Sequence, residues 1–162
     1  MVTAADVLWW AETIYMYLPA YIANATPVVL GGGTPLDGGR RWIDGESILG
    51  DHKTVRGAAS GLVAGILIGA LQLEPLRGTL LSVGAIGGDL FVSFVKRRLR
   101  LKPGAMFPVA DQMGFIVFAV ALVSLVEPPT WERVAAILVA TLPIHFLTNV
   151  VAWLLRLKSD PW

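Results

Sequence analysis

One segment sets the class of this protein: Gly87-Gly88-Asp89-Leu90-Phe91-Val92-Ser93-Phe94-Val95-Lys96-Arg97-Arg98. It begins as an apolar helix rich in small residues and ends in three consecutive basic residues. One face of that helix carries Asp89, Ser93, Lys96 and Arg97. Asp89 lies about 10 Å deeper than Lys96, and a carboxylate at that depth marks a functional site. This face predicts a metal-assisted phosphate site at a membrane surface. An ordinary membrane helix with a basic stop explains the cations but not Asp89.

The composition of the rest of the chain agrees with a membrane protein. Hydrophobic residues make up 55% of the 162 residues and charged residues only 15%, whereas about a quarter of a soluble domain is charged. The lack of Cys excludes disulfides, thiolate metal sites and a Cys nucleophile. The first apolar stretch is long and has no basic segment before it, which argues against a cleavable signal peptide. We expect a single all-α integral membrane domain over residues 1–162.

Hydrophobic runs separated by polar or turn-forming residues predict five transmembrane helices. These helices are placed at about 4–30, 57–73, 79–95, 110–126 and 131–155, with polar loops at 31–56 and 96–108 and a short turn at 74–78. The second helix has a glycine every fourth residue, at Gly57, Gly61, Gly65 and Gly69. Such a stripe predicts close helix packing, although Gly57 and Gly61 are near enough to the polar loop to line a ligand.

The distribution of basic residues predicts the orientation. With five helices, the two polar loops and the carboxy-terminal tail lie on one side and hold eleven of the 13 Lys and Arg residues. The other side holds only Arg77 and Arg133. By the positive-inside tendency the first side is cytoplasmic. We therefore expect the amino terminus outside, the carboxyl terminus in the cytoplasm and the site on the cytoplasmic face of the cell membrane.

Two carboxylates are placed to bind a metal ion. Asp89 lies near the inner end of the third helix, and Asp111 opens the fourth helix after one loop. Because a helical hairpin brings those ends together, the pair suits Mg²⁺, which takes one or two carboxylates plus substrate phosphates. Taken alone, Asp111 also fits a first-turn acid on a helix dipole. The neighbouring cations Lys96, Arg97 and Arg98 suit phosphate oxygens.

Further polar residues occur in the first loop and in the outer helices. The segment Gly50-Asp51-His52-Lys53-Thr54-Val55-Arg56-Gly57 can cradle phosphates at a helix start, although it is not a Walker A loop. His145 and Asn149 share a helix face, where an interhelical hydrogen bond and a ligand contact are equally good readings. Glu12 is expected to be structural. No nucleophile–base set converges, and nucleotidyl transfer needs none.

These motifs resemble the CDP-diacylglycerol synthase (phosphatidate cytidylyltransferase) superfamily, and more closely its short archaeal branch, the CDP-archaeol synthases. The resemblance covers nearly the whole chain. It rests on Asp89-to-Arg97 followed by a basic loop and Asp111, on Gly50–Gly57, on Asn24 with Pro27, on Asp111-Gln112, on His145 with Asn149 and on the ending Lys158-Ser159-Asp160-Pro161-Trp162. Two features depart from the bacterial signature. Met106-Phe107-Pro108-Val109-Ala110 replaces a glycine-rich run, and Gly114 stands where a third acid is expected.

The resemblance implies a Mg²⁺-dependent reaction of CTP with an isoprenoid ether-lipid phosphate, digeranylgeranylglyceryl phosphate, that gives a CDP-lipid and pyrophosphate. It implies catalytic roles for Asp89, Lys96, Arg97 and Asp111, with Asp89 and Asp111 as metal ligands. It also implies CTP or phosphate contacts by Asn24, Asp51, Lys53, Thr54, Arg56, Ser93, Arg98 and Gln112. The partners would be CTP, the lipid phosphate and the bilayer, with no nucleic acid.

Two other classes of function remain at the level of sequence. A small transporter or channel would use Asp89 as an intramembrane ion site, but it predicts polar residues on both sides of the membrane. A structural membrane subunit predicts no acid inside the third helix. The residues leave open the oligomeric state, the lipid chain preference and the choice between one and two metal ions.

Overall fold

The computed structural model describes residues 3–102 and 104–158, so the carboxy-terminal motif that begins at Lys158 lies outside the described residues except for Lys158 itself. Within this part of the chain every regular element is an α-helix. The helices are α1 (Ala4–Met16), α2 (Leu18–Leu30), α3 (Val55–Leu71), α4 (Pro75–Arg98), α5 (Ala110–Val123) and α6 (Trp131–Leu154). Only α4 and α6 are long and apolar enough by themselves to cross a membrane, and α3 and α5 are shorter apolar helices.

The first predicted span is not one helix, because Tyr17 divides it into α1 and α2. Pro19 explains the break, since a proline inside a helix removes one N–H and clashes with the carbonyl four residues earlier. That carbonyl belongs to Tyr15, and it accepts a hydrogen bond from Gln72 Nε2 at 2.6 Å. The five predicted segments are thus covered by six helices, and the break is fixed by a contact from the end of α3.

The other differences between predicted and observed helix boundaries are mainly at the two ends of α4. The expected turn at 74–78 is wrong, since α4 begins at Pro75, a residue well suited to the first turn of a helix. The same helix continues through Lys96, Arg97 and Arg98, which had been assigned to the loop. The two polar loops therefore span 31–54 and 99–109, and we call them the first and the second polar loop.

The glycine stripe of α3 explains how the helices pack. Gly57, Gly61, Gly65 and Gly69 are all buried. A methyl group on Gly61 would meet the Ala23 carbonyl of α2 at 2.5 Å and Ile86 of α4 at 2.8 Å. The stripe therefore serves packing between α2 and α4 within the chain, as predicted for Gly65 and Gly69, and Gly57 and Gly61 are covered as well.

The helices α2 to α5 alternate in direction around one core, whose fully buried members include Leu81, Phe115, Ile116 and Ile137. Helix α1 packs against α6. This arrangement collects the two polar loops and the carboxyl end of α6 at one end of the bundle, which we call the site end. The turns at 72–74 and 124–130 lie at the other end, which we call the opposite end.

Candidate active site

The first polar loop is an ordered structure although it contains no helix. Leu36 N donates to Lys53 O at 2.7 Å, and Val55 N donates to Thr34 O at 3.0 Å. Trp42 N donates to Glu46 O at 2.8 Å, which closes a small hairpin. These bonds hold the Lys53 backbone beside the start of α3, so that only its side chain extends toward α4.

Asp37 organises the inside of this loop. Its carboxylate accepts hydrogen bonds from the N–H groups of Gly39 at 2.9 Å, Leu49 at 2.9 Å and Gly50 at 3.3 Å. Burial raises the pKa of Asp37, but these hydrogen bonds outweigh it and hold the pKa below its usual value. This role of Asp37 was not predicted from the sequence, although Asp-Gly-Gly is a recognisable signal for such a turn.

Asp89 is paired with a lysine from the first polar loop. Lys53 Nζ lies 2.8 Å from Asp89 Oδ1 and 2.6 Å from Oδ2. Both side chains keep some solvent access, with 28% exposure for Lys53 and 34% for Asp89. The next predicted residue on this face, Ser93, donates its hydroxyl to the Asp89 carbonyl at 2.9 Å. The structure thus brings together Asp89 and Lys53, which are 36 positions apart in the sequence.

Asp111 has the same kind of partner on the neighbouring helix. Lys96 Nζ lies 3.0 Å from Asp111 Oδ1 and 2.8 Å from Oδ2. Asp111 Oδ2 also accepts the Phe107 N–H at 2.8 Å, which closes the turn before α5. The first-turn role considered for Asp111 is therefore present together with the lysine contact. Val109, two residues earlier, has a φ of 65°, which is strained for a β-branched residue.

The two predicted arginines at the end of α4 have different surroundings. Arg97 is buried, and among the described residues the only hydrogen bond of its guanidinium is a long one of 3.4 Å to the Lys102 carbonyl. Its Nε has no partner there. A buried guanidinium without a carboxylate is unfavourable, so Arg97 fits a site that receives an anion.

Arg98 is instead occupied by the first polar loop. Its Nη2 donates to the Ser47 carbonyl at 2.5 Å, and its Nε lies 3.0 Å from Asp44 Oδ2 without hydrogen-bond alignment. The guanidinium also stacks on Phe94, 4.8 Å from the ring centre, and Trp42 packs edge-on against the same ring. These contacts, which sequence reasoning missed, give Arg98 a role in fixing the hairpin.

The remaining predicted residues surround this group at the helix starts. The Thr54 hydroxyl caps α3 by accepting from Gly57 N at 3.1 Å, and it also accepts from Gly32 N at 3.2 Å. Arg56 donates to the Gly31 carbonyl through Nε at 3.0 Å and through Nη2. In the described part of the chain, no side-chain hydrogen bond is made by Asn24, Asp51 or Gln112.

His145 and Asn149 form the intrahelical pair that their spacing allows. Asn149 Nδ2 lies 2.9 Å from His145 Nδ1, and Lys158 Nζ donates to Asn149 Oδ1 at 2.9 Å. The His145 ring stacks on Phe115 of α5, with 6.1 Å between the ring centres. Far from them, Glu12 lies 3.6 Å from Arg133, in agreement with its expected structural role.

The donor set fits a hard divalent cation. Among residues 3–102 and 104–158 no three acidic, His or Cys side chains converge into a protein-only metal site. Asp89 and Asp111 each offer two carboxylate oxygens, and each already holds a cationic group there. Mg²⁺ is bound by one or two carboxylates when substrate phosphates complete its shell, so the residues fit Mg²⁺ together with a triphosphate.

Comparison with known proteins identifies the family. The family model described as CarS-like, CDP-archaeol synthase, matches residues 5–77 and 75–162. The CDP-archaeol synthase of Pyrococcus furiosus is 44% identical, with 93% of this chain and 97% of the relative covered. The enzyme of the same name from Thermococcus gammatolerans is 43% identical, with 98% and 99% covered.

One solved structure has the same architecture. It is described as an intramembrane enzyme for archaeal membrane lipid biosynthesis. It superimposes with a TM-score of 0.80 at 38% identity and covers 86% of this chain and 94% of the other. The resemblance noted from the motifs is therefore confirmed, and the chain belongs to the CDP-archaeol synthase family.

Proposed function

We propose that this chain catalyses transfer of CMP from CTP to an archaeal ether-lipid phosphate, in archaeal membrane lipid biosynthesis. Family membership supports the activity, and it favours an enzyme over a transporter with Asp89 as its ion site. The single observation that carries the site assignment is that two lysine–carboxylate pairs, Lys53–Asp89 and Lys96–Asp111, both lie at the site end, where α4 also carries the buried Arg97.

The reaction requires alignment and charge neutralisation rather than a protein nucleophile. A phosphate oxygen of the lipid attacks the α-phosphorus of CTP, a new P–O bond forms, and the bond to the β-phosphate oxygen breaks to release pyrophosphate. The attacking phosphate monoester is largely a dianion above about pH 6, so no general base is needed. What the protein must provide is positive charge around the phosphates.

The chain's own residues divide this work by position. Lys96 and Arg97 on α4 neutralise charge on the phosphates, and Lys53 and Arg56 do so from the start of α3. Asp89 and Asp111 would hold Mg²⁺, which supplies further charge neutralisation on the triphosphate when bound. The predicted nucleotide contacts of Asn24, Asp51, Thr54, Ser93, Arg98 and Gln112 belong to the same proposal.

Arg98 is the least favourable of these assignments, because its guanidinium is already engaged by Ser47, Asp44 and the Phe94 ring. Asn24 and Gln112 are better placed to accept a new partner, since the described residues give neither amide a hydrogen bond. We therefore assign Arg98 to holding the first polar loop over the site and retain the two amides as candidate nucleotide contacts.

We further propose that the helices span the cell membrane with the site end in the cytoplasm and the amino terminus outside. Counted over the whole sequence, the site end has eleven basic and seven acidic residues, a net charge of +4. The opposite end has two basic and five acidic residues, a net charge of −3. This asymmetry supports the orientation through the positive-inside tendency. In the proposed orientation, the site would face the cytoplasm, where CTP is available.

The function is tested by incubating detergent-purified protein with labelled CTP, Mg²⁺ and either an archaeal ether-lipid phosphate or phosphatidic acid. We expect a labelled CDP-lipid that requires Mg²⁺, with the ether-lipid phosphate as the better acceptor. Asp89→Asn should abolish turnover without unfolding the protein, whereas the matched acid-to-amide change Glu132→Gln at the opposite end should not. Absence of product from both lipids in folded protein would overturn the proposal.

A further inference from the structure

Each candidate metal ligand is held by a lysine in the same way. Lys53 Nζ contacts both oxygens of Asp89 at 2.8 and 2.6 Å, and Lys96 Nζ contacts both oxygens of Asp111 at 3.0 and 2.8 Å. The two lysines come from different elements, the end of the first polar loop and α4. Because the same lysine–carboxylate geometry occurs at two positions formed by different elements, we interpret it as functional.

A lysine ammonium competes for the same oxygens as a divalent cation. Hydrogen bonds between charged groups are stronger than those between neutral groups. A cation that binds Asp89 or Asp111 must therefore displace an ammonium group and leave it without its carboxylate. That displacement is unfavourable unless the lysine finds another anion, and a nucleotide triphosphate is such an anion.

The lysines are well suited to such an exchange. The Lys53 backbone is fixed on both sides, because its N–H donates to Gly50 O at 3.1 Å and its carbonyl accepts from Leu36 N at 2.7 Å. Lys96 lies inside the last turn of α4. Only the flexible side chains need to rotate, and a lysine is a mobile point charge on a four-carbon stem, unlike the planar fork of an arginine.

We propose that Lys53 and Lys96 make metal binding and nucleotide binding depend on each other. Resting on the proposed function, this inference assigns the two lysines a second role beyond neutralising phosphate. They occupy the carboxylates until a triphosphate arrives, move to the phosphates, and so release Asp89 and Asp111 to the metal. By reciprocity the nucleotide and the cation then raise each other's affinity by the same factor.

The test measures metal affinity in the absence of nucleotide, by electron paramagnetic resonance of Mn²⁺ added to detergent-purified protein. Lys53→Met should bind Mn²⁺ about tenfold more tightly than the unchanged protein, since the competing charge-assisted bonds are gone. The double variant Lys53→Met with Asp89→Asn should lose that gain. Unchanged or weaker Mn²⁺ binding by Lys53→Met would overturn the proposal.

Further variants guard against misfolding and against a general charge effect. Lys53→Gln keeps a hydrogen-bond donor for Asp89 and should show the same tightening if the first variant is unstable. Lys96→Gln should do so at Asp111. Lys102→Met removes an equal charge from an exposed position in the second polar loop and should leave Mn²⁺ affinity within about twofold. If Lys102→Met tightened Mn²⁺ binding as much as Lys53→Met does, the gain would be explained by net charge alone. That result would refute the proposed exchange of lysine for metal on the carboxylates.

Adding CTP tests the coupling itself. After correction for the Mn²⁺–CTP complex in solution, CTP should tighten Mn²⁺ binding more in the unchanged protein than in Lys53→Met. The transferase activity of Lys53→Met should fall while its Mn²⁺ affinity rises, whereas a merely structural lysine would lower both. A chain without transferase activity would refute the proposed function alone, because Mn²⁺ affinity decides the exchange independently.

Discussion

Charged side chains have different kinds of partner at the site end and at the opposite end of the bundle. At the opposite end, Arg77 forms a fork with Glu127 at 2.9 and 2.5 Å and also approaches Glu74 at 3.8 Å. Arg133 is likewise paired with Glu12 at 3.6 Å. At the site end, the two candidate metal ligands, Asp89 and Asp111, are held by lysines, and the Arg97 guanidinium has only a carbonyl partner among the described residues.

We interpret the charge pairs at the opposite end as stabilising the fold, and those at the site end as remaining free to exchange for a substrate. A bidentate arginine–carboxylate fork is geometrically specific and has its charges matched. A lysine on a carboxylate is a point contact that exchanges easily. An excess of cations at the site end also leaves positive charge for a substrate, whereas the opposite end has more acids than bases. The same comparison predicts opposite responses to mutation.

The largest effect is expected from a lysine at the site end. Lys96→Met should lower kcat/KM at least about 100-fold, because it removes a cation that the proposed function assigns to the phosphates. The melting temperature should change by less than about 2 °C, since Asp111 keeps the Phe107 N–H and access to solvent. Enzyme assays and thermal unfolding in detergent check the two expectations. A large decrease in the melting temperature of Lys96→Met with full activity would contradict this prediction, because it would show that Lys96 stabilises the fold and is not needed for catalysis.

A loss of stability without loss of activity is expected at the opposite end. Arg77→Met should lower the free energy of unfolding by about 1 kcal/mol, or the melting temperature by about 3 °C. Activity per folded molecule should stay unchanged, because Arg77 lies at the opposite end from the candidate site residues. In the double variant with Glu127→Gln the two losses should not add. An additive result would show that the fork contributes no coupling.

A smaller effect on substrate affinity is expected from the arginine that holds the hairpin. Arg98→Lys should raise the KM for CTP about fivefold, because lysine loses the stacking on Phe94 and the contact with Ser47, together about 1 kcal/mol. Steady-state kinetics should show little change in kcat. Arg100→Lys, an exposed neighbour, is the matched control. A decrease in kcat with unchanged KM would place Arg98 among the groups that contact the reacting phosphates.

The smallest effect is expected from lowering the pH, and it is confined to the first polar loop. Because hydrogen bonds hold the pKa of Asp37 below its unfolded value of about 3.9, its stabilisation is present above that value and is lost as pH falls through the folded pKa. Trp42 fluorescence should therefore report loosening of the hairpin only below about pH 4. Asp37→Asn should remove this pH dependence. A transition unchanged in that variant would assign it to another carboxylate.

Sequence reasoning reached the family, the helical class and the face of α4 that carries Asp89, since each depends on local patterns. It missed the break at Tyr17 because the long apolar run predicts one continuous helix and the effect of Pro19 was not considered. It could not reach the Lys53–Asp89 pair. That contact depends on the pairing of residues 34–36 with 53–55, a long-range register that no local periodicity reports. The contacts of Arg98 with the hairpin were missed for the same reason.

The division at Tyr17 also has a consequence for the order in which the chain assembles. Helix α1 is made first, but it packs against α6, with Met16 and Glu12 contacting Arg133. Helices α2 to α5 each meet a sequence neighbour as soon as that neighbour is synthesised. Apart from the Gln72 contact with the Tyr15 carbonyl, the packing of helix α1 must wait for residues 131–154, so its docking is completed late in biogenesis. A nascent chain halted before α6 should thus hold a formed site and an undocked amino-terminal helix.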